Sequence, residues 1–150
     1  MEQTEIRRMT AADVPALAAI ERECFSVPWS AQALAEELEQ PHAVFLVAHA
    51  PGGTVLGYAG MHHVGDEGFI ANVATAARAR RQGVARALLS ALDGYARANA
   101  LCRLTLEVRP SNAAAIALYT GAGFTCDGLR PHFYTAPDEA AAIYSKYYDR

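Results

Sequence analysis

With 150 residues, 52% of them hydrophobic and 19% charged, the chain matches one ordinary domain and can bury a core without a metal or disulfide staple. A formal net charge of -3 argues against a general polyanion-binding surface for nucleic acid or anionic membrane, so any basic site has to be local. Three widely separated cysteines, Cys24, Cys102 and Cys126, show no CxxC spacing; a reducing compartment suits them better than a disulfide framework or a zinc site. The start, Met1-Glu2-Gln3-Thr4-Glu5, is polar and acidic, and no run approaches the roughly 20 apolar residues of a membrane span. The expected location is the cytoplasm, with nothing to target or anchor the chain.

No repeat, low-complexity tract or linker divides the sequence, so residues 1–150 read as a single domain. Ile6 to Arg8 can form a first strand. Thr10-Ala11-Ala12-Asp13 has capping-box spacing ahead of Val14, Leu17, Ala18 and Ile20, which recur at helical period. Ser30 can cap a second helix reaching about Leu38. Val44 to Ala48 reads as a strand and Pro51-Gly52-Gly53-Thr54 as a turn. Val55 to Val64 is the next strand, and Gly65-Asp66-Glu67-Gly68 turns into a third at Phe69 to Thr75. The period then changes: Val84, Leu88, Leu92 and Tyr95 describe one buried stripe of a helix from near Gly83 to Asn99.

Leu104-Thr105-Leu106-Glu107-Val108 alternates, so Thr105 and Glu107 share the face opposite the three aliphatics. A strand, helix, strand unit implies a right-handed crossover, which sets the strand ending at Thr75 parallel to the one ending at Val108. Ser111-Asn112 begins another helix, ended by Gly121 and Gly123; Phe124 to Leu129 and Ala140 to Tyr147 supply closing strands. The architecture is α+β on a mixed sheet.

Two stretches carry chemistry. Arg78-Ala79-Arg80-Arg81-Gln82-Gly83-Val84-Ala85-Arg86 gathers arginine between a strand end and a helix start. There, unpaired amides and the positive end of the helix dipole favour an anion, and Gly83 and Ala85 leave the backbone open to a diphosphate. The same loop also reads as a solvated basic turn. No GxxxxGK[ST], dinucleotide fingerprint or GxSxG elbow competes. In the second stretch, Glu107 is a lone carboxylate near the carboxyl end of an apolar strand, and Tyr119 lies on the following helix. They suit a base and an acid, although on the residues alone the default readings are a surface carboxylate on an edge strand and a core aromatic whose hydroxyl reaches solvent. His62 and His63, adjacent in a strand, point to opposite faces and cannot form a two-ligand metal face. No metal is expected.

Arg80-Arg81-Gln82-Gly83-Val84-Ala85 resembles the diphosphate loop of the GNAT N-acetyltransferases, and the order of elements matches that fold over nearly the whole chain. Leu106-Glu107-Val108-Arg109-Pro110-Ser111-Asn112-Ala113-Ala114-Ala115-Ile116-Ala117-Leu118-Tyr119, then Gly123-Phe124, is similar to the bacterial RimI-type ribosomal-protein-alanine N-acetyltransferases. So are Pro28-Trp29-Ser30 and Phe133-Tyr134. The resemblance implies a GNAT fold, a mixed central sheet with a splayed parallel strand pair and flanking helices. It implies acetyl-CoA as cosubstrate and transfer to the α-amine of a protein, with a small-subunit ribosomal protein bearing an N-terminal Ala as acceptor.

By the same resemblance Val73 and Thr75 offer backbone groups to the acetyl and pantetheine arm, and Arg80, Arg81, Gln82, Gly83, Val84, Ala85 and Arg86 cradle the diphosphate. Asn112 bonds the pantetheine chain, Glu107 deprotonates the amine, Tyr119 protonates the thiolate, and Trp29 and Tyr134 shape the acceptor slot. Two departures bear on acceptor choice: Ala76-Ala77 stands where the family commonly has Asp-Pro, and the tail Ala141 to Tyr148 is richer in aromatic and polar groups. An acetyltransferase for protein lysines or small amines, and a non-catalytic acetyl-CoA-binding module, are the competing readings.

Overall fold

Asp13 opens the first helix as the capping-box spacing predicts. Its carboxylate accepts from the Thr10 backbone N–H at 2.7 Å and from the Thr10 hydroxyl at 3.1 Å, while Arg7 holds both its oxygens at 2.7 and 2.8 Å. That clamp ties the first strand to the first helix. The computed structural model describes residues 4–135 and 137–148. In chain order the strands are β1 (Glu5–Arg8), β2 (Ala43–His49), β3 (Val55–Val64), β4 (Glu67–Thr75), β5 (Arg103–Val108), β6 (Thr125–Tyr134) and β7 (Glu139–Tyr147). The α-helices are α1 (Val14–Cys24), α2 (Ala31–Glu37), α3 (Val84–Ala98) and α4 (Ala113–Gly121). Ser30 caps α2 through an Oγ contact with the Ala33 N–H at 3.1 Å.

The strands form one sheet in the order β1-β2-β3-β4-β5-β7-β6, antiparallel throughout except where β4 and β5 run parallel. The α3 crossover makes that parallel pair, as the strand, helix, strand pattern requires. Val84, Leu88, Leu89, Leu92 and Ala96 are the buried stripe of α3, and full burial of a leucine such as Leu88 or Leu92 contributes about 2 kcal/mol. The stripe ends on Ala96; Tyr95 is half-buried, and its hydroxyl and His63 Nε2 share a hydrogen bond of 2.9 Å.

Some boundaries differ from the sequence reading. Gly65, at φ +58°, and Asp66 make the turn alone, because Glu67 and Gly68 already pair with Val64 and His63 in β4. The strand β6 runs on past Leu129 to Tyr134 through an irregularity where His132 adopts φ +53°, a device that a period-2 pattern does not announce. Gly121 belongs to α4, and the left-handed stop falls on Gly123 at φ +100°.

One local distortion positions everything that follows. Along β3 and β4, Gly60 opposes Asn72 but Met61 opposes Ile70, so Ala71 is an extra residue, a β-bulge. The β4 to β5 pairing runs from Glu67 with Arg103 to Ile70 with Leu106 and stops there. Beyond the bulge the two parallel strands diverge into a V.

Candidate active site

The V opens into a cavity of about 720 Å³ bounded by the α1 to α2 link, β4, β5, α4 and the end of β6. It brings together Trp29, Val73, Glu107, Asn112, Tyr119 and Tyr134. Thr75 and the segment from Arg80 to Arg86 lie outside its walls. The Thr75 carbonyl is engaged by the Cys24 thiol at 3.3 Å.

In β5 burial alternates as predicted, with Leu104, Leu106 and Val108 inside and Thr105 and Glu107 half-buried on the other face. The strand is not an edge: it lies between β4 and β7, which removes the edge-strand reading of Glu107. The Glu107 Oε2 is buried, makes no hydrogen bond among the described residues, and forms an ion pair with Arg130 Nη1 at 3.6 Å. Glu107 lines the cavity with one oxygen held beside a guanidinium, and a carboxylate so placed can accept a proton from a group bound there.

Tyr119 is 8% exposed and packs edge-on against Phe124, ring centres 6.0 Å apart. Burial, and next the neighbouring Tyr134, push its phenol up to about 12, so it keeps its proton at any physiological pH. Among the described residues its hydroxyl makes no hydrogen bond. Tyr134 is raised as well, first by burial and then by the charge of Glu107. The Arg109 guanidinium lies 4.5 Å from the centre of the Tyr134 ring. It also donates to the carbonyls of Thr135 and Pro137 at 2.8 Å each, fixing this wall.

The basic loop turns twice through left-handed backbone. After a one-turn helix at Ala77–Ala79, Arg81 adopts φ +64° and Gly83, the residue before α3, φ +80°. A Cβ added at Gly83 would meet nothing within 4 Å among the described residues, so the backbone there is open to approach. Such alternating turns aim successive N–H groups at one point, and the first turn of α3 adds its unpaired amides. Arg80 reaches the Cys24 sulfur at 3.5 Å, while Arg81 and Arg86 form no ion pair among the described residues. The Val84 side chain is core, 2% exposed, so only its backbone can face a ligand. Asn112 caps α4, its Oδ1 accepting from the Ala115 N–H at 3.1 Å, which leaves Nδ2 as its remaining donor.

His62 and His63 diverge as expected, to Glu37 of α2 at 2.6 Å and to Tyr95 of α3. Sequence reasoning missed Glu21. This carboxylate is fully buried beside the cavity, where Oε1 accepts from the Trp29 backbone N–H at 2.8 Å. Its Oε2 accepts from the Tyr58 hydroxyl and from Asn72 Nδ2, both at 2.7 Å. Burial raises its proton affinity while the donors oppose that. The signal was legible: Glu21 continues the stripe Leu17, Ala18, Ile20 of α1, where an unpartnered carboxylate is out of place.

The Acetyltransferase (GNAT) family model matches residues 14–124. The chain belongs to the GNAT acetyltransferases. It is an N-acetyltransferase, and members of this family use acetyl-CoA. This GNAT enzyme is 34% identical over 133 residues to the ribosomal protein bS18-alanine N-acetyltransferase of Escherichia coli strain K12, covering 89% of this chain and 88% of the relative. It is 34% identical over 139 residues to N-alpha-acetyltransferase RimI of Mycobacterium tuberculosis, covering 89% and 85%. The crystal structure of the Escherichia coli ribosomal-protein-S18-alanine N-acetyltransferase superposes with a TM-score of 0.90 at 31% identity, covering 99% of this chain and 96% of the other. The GNAT fold expected from the element order is therefore the fold found, with its parallel pair at β4 and β5. Among the described residues, no helix is long and apolar enough to cross a membrane.

Proposed function

We propose that this N-acetyltransferase acetylates the α-amine of a protein amino terminus, and that its acceptor is a small-subunit ribosomal protein beginning with Ala, as in the names of its relatives. The observation that carries the chemistry is the pairing, in one cavity, of the Glu107 carboxylate with a phenol on Tyr119 that holds its proton. Glu107 takes a proton from the acceptor's ammonium, directly or through a water, which frees the nitrogen lone pair for attack on the thioester carbonyl. Tyr119 presents its proton to the sulfur as the carbon–sulfur bond breaks. The loop from Arg80 to Arg86 holds the diphosphate through backbone amides and the free charges of Arg81 and Arg86. The pantetheine arm runs along the unpaired edge of β4 at Val73 and Thr75 and meets Asn112 Nδ2. Trp29 and Tyr134 close the sides of the acceptor slot.

The test is thiol release from acetyl-CoA against peptides beginning with Ala or Ser, free lysine and a polyamine. Faster turnover of lysine or the polyamine than of the Ala-starting peptides refutes the amino-terminal reading. Glu107→Gln keeps shape but removes the base, so turnover falls on the order of a hundredfold or more with acetyl-CoA affinity little changed. Unchanged turnover would take Glu107 out of the mechanism.

A further inference from the structure

The buried carboxylate on α1 has a directional consequence for its neighbour on β4. Glu21 accepts hydrogen bonds from three donors on its two oxygens: the Trp29 N–H, the Tyr58 hydroxyl and Asn72 Nδ2. Tyr58 has a single hydroxyl proton, and it points at Glu21. Toward Asn72, at 3.1 Å, the Tyr58 oxygen can therefore only accept. Both neighbours of the Asn72 amide are thus acceptors, and both call for its NH2 end. The orientation of an asparagine amide is decided by such a network, and with Glu21 ionised only one orientation satisfies it. Among the described residues, every hydrogen bond of the Asn72 side chain runs through Nδ2. Its carbonyl oxygen, Oδ1, remains as a fixed, unused acceptor in a residue that lines the cavity.

Its place in the fold tells which ligand this acceptor meets. Asn72 is the first residue after the Ala71 bulge, on the arm of the V that faces β5. It reaches Tyr58 and Glu21, so it projects from the α1 side of the sheet. Strand alternation puts His62 on that side with Tyr58, Phe69 opposite His62, and Thr105 opposite Phe69; Glu107, two residues on, shares the side. The Glu107 carboxylate and the Asn72 side chain therefore line the same half of the cavity from its two arms. The same Glu21 carboxylate also anchors the Trp29 backbone, which belongs to the acceptor wall.

We propose that Asn72 is an acceptor-binding residue, whose Oδ1 accepts a hydrogen bond from an N–H of the incoming primary amine, and that Glu21 is the positioning residue that keeps this oxygen turned to the substrate. The inference rests on the reading of the cavity as an amine acetylation site and adds its means of holding the nucleophile. With one N–H directed to Asn72 and another to Glu107, the nitrogen's orientation about its own bond is set before attack. A donor group at Asn72 would repel the ammonium, so the amide's orientation is a condition of binding.

The test separates acceptor from cosubstrate. Asn72→Ala raises the KM for an Ala-starting peptide about tenfold or more, as for a lost hydrogen bond to a charged group, and leaves the KM for acetyl-CoA within about twofold. Glu21→Gln places an NH2 in the cluster, so Asn72 turns over to give it Oδ1 and presents Nδ2 to the cavity. The acceptor KM then rises as in Asn72→Ala, with the acetyl-CoA KM again unmoved, a split that a general loss of packing does not produce. Should Glu21→Gln fail to fold, Asn72→Ala and Asn72→Ser carry the test, with acetyl-CoA titration reporting an intact fold. If the wild type turns over the peptide and Asn72→Ala has the same acceptor KM, or only the acetyl-CoA KM rises, this inference is overturned alone. If the wild type acetylates no amine, the acetylation reading falls and this one with it.

Discussion

Replacing Tyr119 with Phe isolates the role of one proton. The ring stays packed against Phe124, and the hydroxyl lost makes no hydrogen bond among the described residues, so the melting temperature should stay within about 2 °C. Catalysis is different. The phenol is raised to about 12, against about 8.5 for a thiol. Free transfer of its proton to the departing thiolate is uphill by roughly 3.5 units, about 5 kcal/mol. In the proposed mechanism Tyr119 therefore contributes through a hydrogen bond that strengthens as charge grows on sulfur, worth about 1.5–3 kcal/mol for a charged partner. The expected fall in kcat is about 10- to 150-fold, with the acceptor KM little changed.

The raised phenol also predicts a pH profile. Deprotonation would abolish the donor, and raising its pKa moves that loss to higher pH. The rate of acetyl-peptide formation, followed by chromatography, should be flat from about pH 8.5 to about pH 10.5, where an ordinary phenol would impose a falling limb near 10. An unchanged kcat in Tyr119→Phe would refute the reasoning. So would an alkaline limb near pH 10 that is present in the wild type and absent from the variant.

Gly83→Ala introduces no clash but strains a backbone at φ +80°, costing about 1 kcal/mol, and sets a methyl in the loop. Acetyl-CoA affinity by titration should weaken about tenfold, and unchanged affinity would move the diphosphate elsewhere. Gly60→Ala sets a Cβ 2.4–2.7 Å from atoms of the Phe45 ring, which is backed by Trp29 and Tyr58. Overpacking of this kind costs about 1–3 kcal/mol, so the melting temperature should fall by roughly 3–10 °C, and an unaltered melt would show that the ring can move aside.

Much of the fold was legible because its signals are periodic. The alternation in β5, the stripe of α3 and the caps at Asp13, Ser30 and Asn112 each follow from local spacing, and the parallel pair follows from the crossover between β4 and β5. Glu107 and Tyr119 stood out as polar groups within apolar elements. The Ala71 bulge was hidden, because an extra residue in an apolar strand leaves no mark until the partner's register is known. Asn72 was missed for a related reason, whereas Glu21 interrupts the apolar stripe of α1 and only its partner was hidden. They lie 51 residues apart, and only the closing of α1 over β3 and β4 makes one an explanation of the other.

The seam between β4 and β5 is four residue pairs long, and it is the spine along which two leaves of the sheet join: β1 to β4 on one side, and β5, β7 and β6 on the other. The proposed proton-handling groups, Glu107 and Tyr119, stand on strand and helix near this spine, whereas Trp29 and Tyr134 sit in the outer margins, on a link and at the end of β6. A lineage can therefore redraw the margins to suit a new amino terminus while the binding, and the reaction written along it, stays as it was.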